Sequence, residues 1–181
     1  MKIIIKRFLP YVVIITAFCA LAYATVQQAY RQGANDPQIQ MAEDAANALA
    51  DGQSAETLLP AAKVNVEKSL APFMIVYDAS GNEVASSVHL DGQTPSLPDG
   101  VLDSTRKMGE NRVTWQPRSG VRIAAVIVAY KDGYVLAGRN MREVEIREDQ
   151  TTQFAGLTWV LAMVAVFIVI ALGEWLLPGT K

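Results

Sequence analysis

Side chains that could act as acids, bases, nucleophiles or metal ligands are few in this chain of 181 residues. His89 is the only histidine and Cys19 the only cysteine, so a catalytic triad would rest on one residue without identifiable partners. No Cys/His cluster could hold zinc, and no glycine-rich loop could cradle a phosphate. Ser104 and Lys107 have the Ser-x-x-Lys spacing of some acyl enzymes, but the companion motifs are missing. The sequence therefore predicts neither an enzyme nor a bound cofactor.

Two arginines are better suited to binding than to catalysis. Arg122 is the one charge in the apolar run Val121–Tyr130, and Arg139 ends the run 134–139. A guanidinium fork matches a carboxylate, so both are candidate anchors for a small ligand of that class. The alternative is that Arg122 reaches water at the start of its strand and that Arg139 pairs with a neighbouring acid.

Aromatic residues in the same predicted strands could form the walls of such a pocket. The candidates are Trp115, Tyr77 and Tyr130. Aromatic side chains are also the ordinary filling of a sheet core, so the alternative is that all three only pack.

The elements that must position these residues lie between two apolar segments, 8–26 and 154–177. Each is long enough to cross a hydrocarbon core of roughly 30 Å as a helix. Trp159 and Trp175 suit the two interfaces of the second span, and Glu174, its one charge, suits the inner boundary. We therefore expect a two-span membrane protein in contact with the lipid bilayer.

Charge predicts the orientation of the spans. Basic residues collect on the cytoplasmic side of membrane helices. Lys2, Lys6 and Arg7 therefore place the N-terminal segment 1–7 in the cytoplasm, and the membrane is predicted to be a bacterial inner membrane. With two crossings, the tail 178–181 is also cytoplasmic and 27–153 is extracytoplasmic. That middle region has twelve Lys and Arg against seventeen Asp and Glu, a balance of −5, which disfavours nucleic acid as a partner.

The first span has two interpretations. Its basic start, its apolar run and the sequence Ala22-Tyr23-Ala24 resemble a secretory signal with a cleavage site. Against cleavage, the run is long for a signal peptide, and Thr16, Ala20 and Ala24 have the every-fourth-residue spacing of small side chains at which membrane helices pack. A helix built to pack would be retained.

Periodicity predicts helices and then strands in the middle region. Asp36 and Pro37 suit a helix start, with an apolar stripe to about Ala50, and further short helices are predicted from Ser54 to Leu59 and over 64–70. The β-forming runs are 73–77, 83–88, 112–116, 121–130 and 134–139, with a helix over 101–108 after the second run. A charged helix over 141–149 leads toward the second span.

This order predicts an α+β domain with a five-stranded antiparallel sheet and an N-terminal helix, flanked by two transmembrane helices. The run 121–130 is apolar on both faces, so it should lie inside the sheet and be covered twice. One face is expected to be covered by residues 91–109.

The order of elements, the hairpin FMIVYDASGNEV and the block GYVLAGRNMREVEIRE resemble the extracytoplasmic PAS-like sensor domains called Cache or PDC. Those domains occur in bacterial histidine kinases and chemoreceptors of two-component and related signal transduction. The resemblance implies a small-molecule pocket on one sheet face, roofed by the segment between the second and third strands, and membrane helices that move on binding.

One departure from that family changes the expected partner. No HAMP linker, kinase or methyl-accepting region follows the second span in this sequence. We therefore expect a sensor module that binds a small ligand and signals through its membrane helices to a separate membrane protein, or as a homodimer. The alternative is a membrane scaffold or assembly factor whose PAS-like domain binds another protein.

Overall fold

The computed structural model describes residues 2–33 and 36–176; Met1, Ala34, Asn35, Leu177 and the predicted tail 178–181 lie outside them. The chain divides into two compact units. One comprises its two ends, Met1–Arg31 with Ile146–Lys181, and the other is the middle region Gln32–Glu145. Each is described by itself.

The middle unit is α+β, as predicted. Its elements in chain order are α2 (Asp36–Ala50), α3 (Ala55–Leu58), β1 (Val64–Asn65), β2 (Phe73–Asp78), β3 (Glu83–Ser86), β4 (Val88–His89), α4 (Val101–Met108), β5 (Glu110–Arg118), β6 (Val121–Tyr130) and β7 (Gly133–Asn140). Five of the strands form an antiparallel sheet in the order β3-β2-β7-β6-β5, with β7 in the middle. The five-stranded antiparallel sheet is therefore confirmed.

Helix α2 covers one face of this sheet. Its small residues Ala42, Ala45 and Ala46 let the helix lie close to the strands, where they meet Val126 and Val135. The apolar stripe predicted for this helix is thus its sheet-facing side.

The other face is covered by the segment between the second and third main strands, also as predicted. Leu97, Val101 and Leu102 pack against a cluster centred on Ile75 and Ile127. Strand β6 is therefore buried from both sides, which is why its sequence is apolar at consecutive positions rather than at alternate ones.

Residues 64–70 are not a helix, contrary to the prediction. Val64 and Asn65 form strand β1, which pairs in parallel with β4. The Asn65 side-chain oxygen accepts a hydrogen bond from the Glu67 amide at 3.0 Å, a local turn that competes with helix formation. Val66 is buried beside the main sheet, so burial and the turn together outweigh a weak helical pattern.

The other unit contains two long helices, α1 (Lys2–Gly33) and the later part of α5 (Arg142–Leu176). Both are long and apolar enough to cross a membrane, by length and composition. Helix α1 includes the predicted span 8–26, and α5 includes the described part, 154–176, of the second predicted span. At 1.5 Å per residue, α5 is about 50 Å long, more than one hydrocarbon core requires.

Polar and aromatic contacts tie α1 to α5 in antiparallel fashion. Arg7 forms a salt bridge with Glu174 at 2.5 Å, and the Trp159 indole donates to the Thr16 hydroxyl at 2.9 Å. Further contacts are a hydroxyl pair at 3.0 Å, Tyr23–Thr152, and an edge-on ring pair with centroids 5.7 Å apart, Phe8–Phe167. Residues of the first apolar segment thus make specific contacts with the second.

Gly133 is required where β2 and β7 meet. A Cβ atom at this position would lie 2.0 Å from the Tyr77 carbonyl oxygen, which cannot move without breaking the strand pair. Gly133→Ala should therefore destabilise the middle unit by about 3 kcal/mol, the upper range for an overpacked site. Thermal unfolding of the full chain in detergent measures this.

Gly33→Ala is the matched control, because its added Cβ meets no atom within 4 Å. Equal stability of the two variants would contradict the close approach of β2 and β7.

Candidate functional site

The five residues predicted from sequence to bind a ligand lie on two opposite faces of the sheet. Strand side chains alternate between faces, and the strand register assigns each one. Tyr77 and Trp115 belong to the apolar cluster on the face covered by the segment after β4. Arg122, Arg139 and Tyr130 lie on the α2 face, with Arg139 opposite Ala124. The structure does not bring the five into one pocket.

The two arginines occupy the end of the sheet at which β7 leads into α5. The Arg122 side chain is half exposed and approaches Glu145 at 3.4 Å, the contact of a weak surface pair. The Nε atom of Arg139 is buried and has no hydrogen-bond partner among the described residues. Tyr130 is at the far end of β6, so no single small ligand could contact all three.

A groove forms instead between the β2–β3 hairpin and residues 91–100, which we call the roof segment. This roof groove has a volume of about 440 Å³ and is open to solvent. It lies at the end of the sheet opposite Arg122 and Arg139, and of the five predicted residues only Tyr77 lines it. The residues that give it chemical character are Tyr77, Ser80, Glu83, Thr94, Asp99 and Asp103.

Side-chain bonds, rather than regular secondary structure, hold the roof segment in place. Arg118 contacts both carboxylate oxygens of Asp91, at 2.7 and 2.8 Å, and also Glu67 at 2.5 Å. The Asp91 carboxylate is the largest contribution to the raised pKa of Arg118. The Trp115 indole donates to the Ser96 carbonyl at 3.0 Å. Trp115 thus packs on the core and fixes the roof segment at the same time.

The hairpin below the roof segment is shaped by Asp78. Its carboxylate accepts hydrogen bonds from the Ser80 amide at 2.8 Å, the Asn82 amide at 2.8 Å and the Asn82 side chain at 3.0 Å. Gly81 adopts φ +87°, and an added Cβ would come within 3.1 Å of the Leu102 side chain. The turn therefore brings the hairpin tip against the start of α4.

Tyr77 is the buried member of the roof groove. Only 7% of the residue is exposed, because it packs in the core cluster while also lining the roof groove. Burial raises the pKa of Tyr77 far above its usual range, and the negative charge of Glu83 raises it further. The phenol is therefore neutral at physiological pH. Glu83 is itself held by the Thr94 hydroxyl at 3.0 Å, which links the hairpin to the roof segment.

Two other open cavities flank Tyr130. One, of about 410 Å³, includes Arg106, whose Nε donates to the Tyr134 hydroxyl at 2.7 Å and whose Nη2 donates to the Ala79 carbonyl at 2.9 Å. The second, of about 390 Å³, lies against α2. Burial and the charges of Asp132 and Asp78 raise the pKa of Tyr130.

No cluster of three or more His, Cys, Asp or Glu side chains is placed to hold a metal ion within the part of the chain that the structure describes. No protein-family model, curated protein or solved structure matches this chain. Function therefore has to be inferred from the geometry and chemistry of the chain itself.

The acidic residues of the roof groove were not among the predicted site residues. A signal was available: residues 69–105 contain five acids and no lysine or arginine. The predicted hairpin and the predicted cover of the sheet both fall in that stretch, so its charge should collect where the two meet.

Asp78→Ala should lower the melting temperature at neutral pH, because the turn loses three hydrogen bonds. The Asn82 side chain first, and then the turn amides, lower the pKa of Asp78 in the folded state. The stabilisation is therefore full above the pKa of an unfolded Asp, about 3.9, and is lost as the pH falls through the lower folded value. Melting curves of wild type and variant should differ by a constant amount above roughly pH 5 and converge below it.

Asp132→Ala serves as the control, since Asp132 accepts no hydrogen bond within the described residues. A difference between wild type and Asp78→Ala that persists unchanged into strong acid would contradict the role given to the Asp78 carboxylate.

Proposed function

We propose that this chain is a membrane-anchored sensor module of the bacterial inner membrane. In this proposal the α+β domain is extracytoplasmic and PAS-like, binds a small ligand in the roof groove, and passes the change through α5 to a separate membrane protein or a second copy. The observation that carries the proposal is a continuous set of contacts from the roof segment to the start of α5.

Those contacts begin at Arg118. It holds Asp91 of the roof segment and, on its other side, Glu67 of the segment that follows β1. The backbone carbonyl of Glu67 accepts a hydrogen bond from Arg142, the first residue of α5, at 3.3 Å. A shift of the roof segment therefore reaches the first turn of α5 through two side chains.

Asn140 completes the connection from inside the domain. It is 5% exposed, and its amide donates to the Val66 carbonyl at 2.6 Å while its side-chain oxygen accepts from the Arg142 amide at 2.7 Å. The second bond satisfies one of the free amides at the start of a helix. The buried Asn140 side chain, at the end of β7, is therefore hydrogen-bonded both to the first residue of α5 and to the segment after β1.

The helix pair offers a way to pass the change on. Strand β7 is followed after a single residue, Met141, by a helix that includes an apolar span. Large apolar side chains of α1 and α5, such as Phe18 and Val169, are exposed, which suits contact with lipid or with the helices of a partner. These features support signalling by helix contacts.

A specific observation favours a second candidate, the scaffold. The sheet face under the roof segment is filled by its own side chains, and the cavities described above are open grooves rather than enclosed pockets. An open groove also suits a segment of another protein. In that case cross-linking would capture one stoichiometric partner and no small molecule would stabilise the domain.

The orientation is tested with reporter fusions. A periplasmic reporter inserted at Asp91 should be active, because Lys6 and Arg7 retain the N-terminal side in the cytoplasm. A cytoplasmic reporter placed after Lys181 should also be active. A periplasmic signal at the second position would overturn the two-span arrangement.

Coupling between the roof groove and the spans is tested through Cys19, the only cysteine of the chain. Cys19 is about one helical turn from Thr16, which contacts Trp159, so a bimane label on it should be quenched by that indole. The compound giving the largest thermal shift in a panel of amines, carboxylates, amino acids and sugars should change the quenching in the full chain. In Asn140→Ala it should still bind, but the quenching should no longer change.

A second variant is needed because loss of the buried Asn140 amide costs about 1–3 kcal/mol, which is enough to unfold a marginally stable domain. Arg118→Ala is that variant. Arg118 is at the other end of the contacts and is partly exposed. Gln116→Ala, an exposed position on the same strand, is the control and should respond like wild type. A full quenching response in both Asn140→Ala and Arg118→Ala would contradict the proposed route from the roof segment to α5. The absence of any stabilising compound would contradict the sensor function.

A further inference from the structure

A groove runs between the two long helices, at the end where α1 begins and α5 ends. Its volume is about 570 Å³, larger than that of the roof groove. Most of its walls are apolar or small: Pro10, Tyr11 and Ile14 of α1, and Ile170 and Gly173 of α5. Within each helix, spacings of three or four residues place these side chains on one face. We call this cavity the helix groove.

The Arg7–Glu174 ion pair borders the same groove. The two side chains are in contact at 2.5 Å, and 67% of the Arg7 side chain and 25% of the Glu174 side chain are exposed. A guanidinium carries five N–H donors and a carboxylate two acceptor oxygens, so one contact does not use them all. The helix groove therefore presents a cation and an anion side by side, next to an apolar wall.

Pro10 adds a backbone acceptor to this end of the groove. A proline inside a helix has no N–H for the carbonyl four residues earlier, which here is the carbonyl of Lys6. A carbonyl without its helical partner is costly close to a hydrocarbon core, where water does not replace the lost bond. The Lys6 carbonyl is one residue before Arg7 in the chain, so it favours an occupant that donates hydrogen bonds beside the ion pair.

Gly173 leaves room for such an occupant. A Cβ atom at this position would meet no atom within 4 Å. On the facing helix, Ile14 is 64% exposed and Tyr11 is 49% exposed. The free space is therefore bordered by apolar side chains that suit an acyl chain.

We infer that the helix groove binds one phospholipid with an ethanolamine headgroup. The Arg7 guanidinium donates to the phosphate oxygens, and the lipid ammonium donates to the Glu174 carboxylate and the Lys6 carbonyl. One acyl chain lies along Tyr11 and Ile14. Opposite charges on protein and headgroup thus match in pairs. Basic sites between membrane helices on the cytoplasmic side are known to hold lipid headgroups, and this inference rests on the membrane insertion proposed above.

Two related headgroups match the groove less well. Choline has the same charge as ethanolamine but no N–H to donate to Glu174 or to the Lys6 carbonyl. Glycerol has hydroxyl donors but no positive charge for Glu174. Ethanolamine alone of the three supplies a cation that is also a hydrogen-bond donor.

The test measures which phospholipid the full chain retains. The protein in detergent is mixed with equal amounts of phosphatidylethanolamine, phosphatidylcholine and phosphatidylglycerol that carry the same acyl chains, and native mass spectrometry counts the bound lipids. One phosphatidylethanolamine per chain should be retained, with about tenfold preference over either competitor. A factor of that size corresponds to one hydrogen bond to a charged group.

Substitutions in the ion pair test the two headgroup contacts separately. Glu174→Gln should reduce the preference for phosphatidylethanolamine over phosphatidylglycerol about tenfold, because a neutral amide attracts the ammonium less, while phosphatidylglycerol retention should not fall. Arg7→Gln should weaken retention of all three lipids. An equal loss of all three in Glu174→Gln would show that the variant only disturbs the helix pair, and would contradict the ammonium contact.

A filled groove tests the position of the lipid. Gly173→Leu should abolish retention, whereas Gly156→Leu should retain lipid like wild type. Gly156 is the matched control because its added Cβ also meets no atom within 4 Å and it lies about 25 Å away along α5. Quenching of the Cys19 label by Trp159 should persist in both variants, which shows that the helices still pack. If Gly173→Leu loses that quenching, the result for Glu174→Gln decides.

The remaining outcomes separate the lipid site from the sensor function. Equal retention of the three lipids would overturn the headgroup assignment, and a chain without bound lipid would overturn the site. A dimer without bound lipid would show that a second copy fills the helix groove instead. In each of these cases the sensor function is still judged by ligand-dependent quenching. A periplasmic signal from the reporter after Lys181 would contradict the two-span arrangement and with it both proposals.

Discussion

The middle unit depends on burying both faces of β6 and β7 at once. Among the helices that the structure describes wholly within this unit, α2 alone is longer than eight residues, so helices cover only one of the two faces completely. The opposite face is closed by the eight-residue α4, by Val66 and by a roof segment that has no regular structure of its own. Covering a sheet with such a segment requires specific side-chain bonds to hold it, and those bonds create the edges of the roof groove. The candidate site is thus a by-product of how the second face is closed.

Most elements of the fold could be predicted from local pattern. The turn-forming residues around Gly81 and in 131–133 separate β-forming runs, and the doubly apolar sequence of β6 indicates two-sided cover. The prediction over 64–70 was wrong because a side-chain turn at Asn65 and the burial of Val66 outweigh a weak helical repeat. The pairing of β1 with β4 joins residues more than twenty positions apart, which no local pattern encodes.

The candidate site was harder to predict for a geometric reason. Arg122 and Tyr130 are both even-numbered positions of β6, so their common face could be read from alternation alone. The face of Tyr77 relative to that of Arg122 depends on the register of β2 against β7 and of β7 against β6, which are long-range pairings. Arg122 and Arg139 were predicted because a guanidinium group matches a carboxylate, which is independent of where the two residues lie in the fold. Residues 69–105 contain five acids and no lysine or arginine, a bias that indicates the acidic roof groove without any knowledge of strand register.

The way in which the roof segment is attached has a consequence for how this protein can diversify. Three side-chain anchors hold it, at Asp91, Thr94 and Ser96, and one of these uses only the backbone carbonyl of Ser96. Leu97 packs on the core, but Gly92, Gln93, Pro98 and Asp99 are exposed, and surface loops tolerate replacement and changes of length better than the elements they join. Relatives of this chain could therefore acquire new ligand preferences by substitution in a short stretch, while the sheet, Asn140 and the helix pair stay unchanged. The choice of ligand and the transmission of the signal to the membrane helices would then evolve independently of each other.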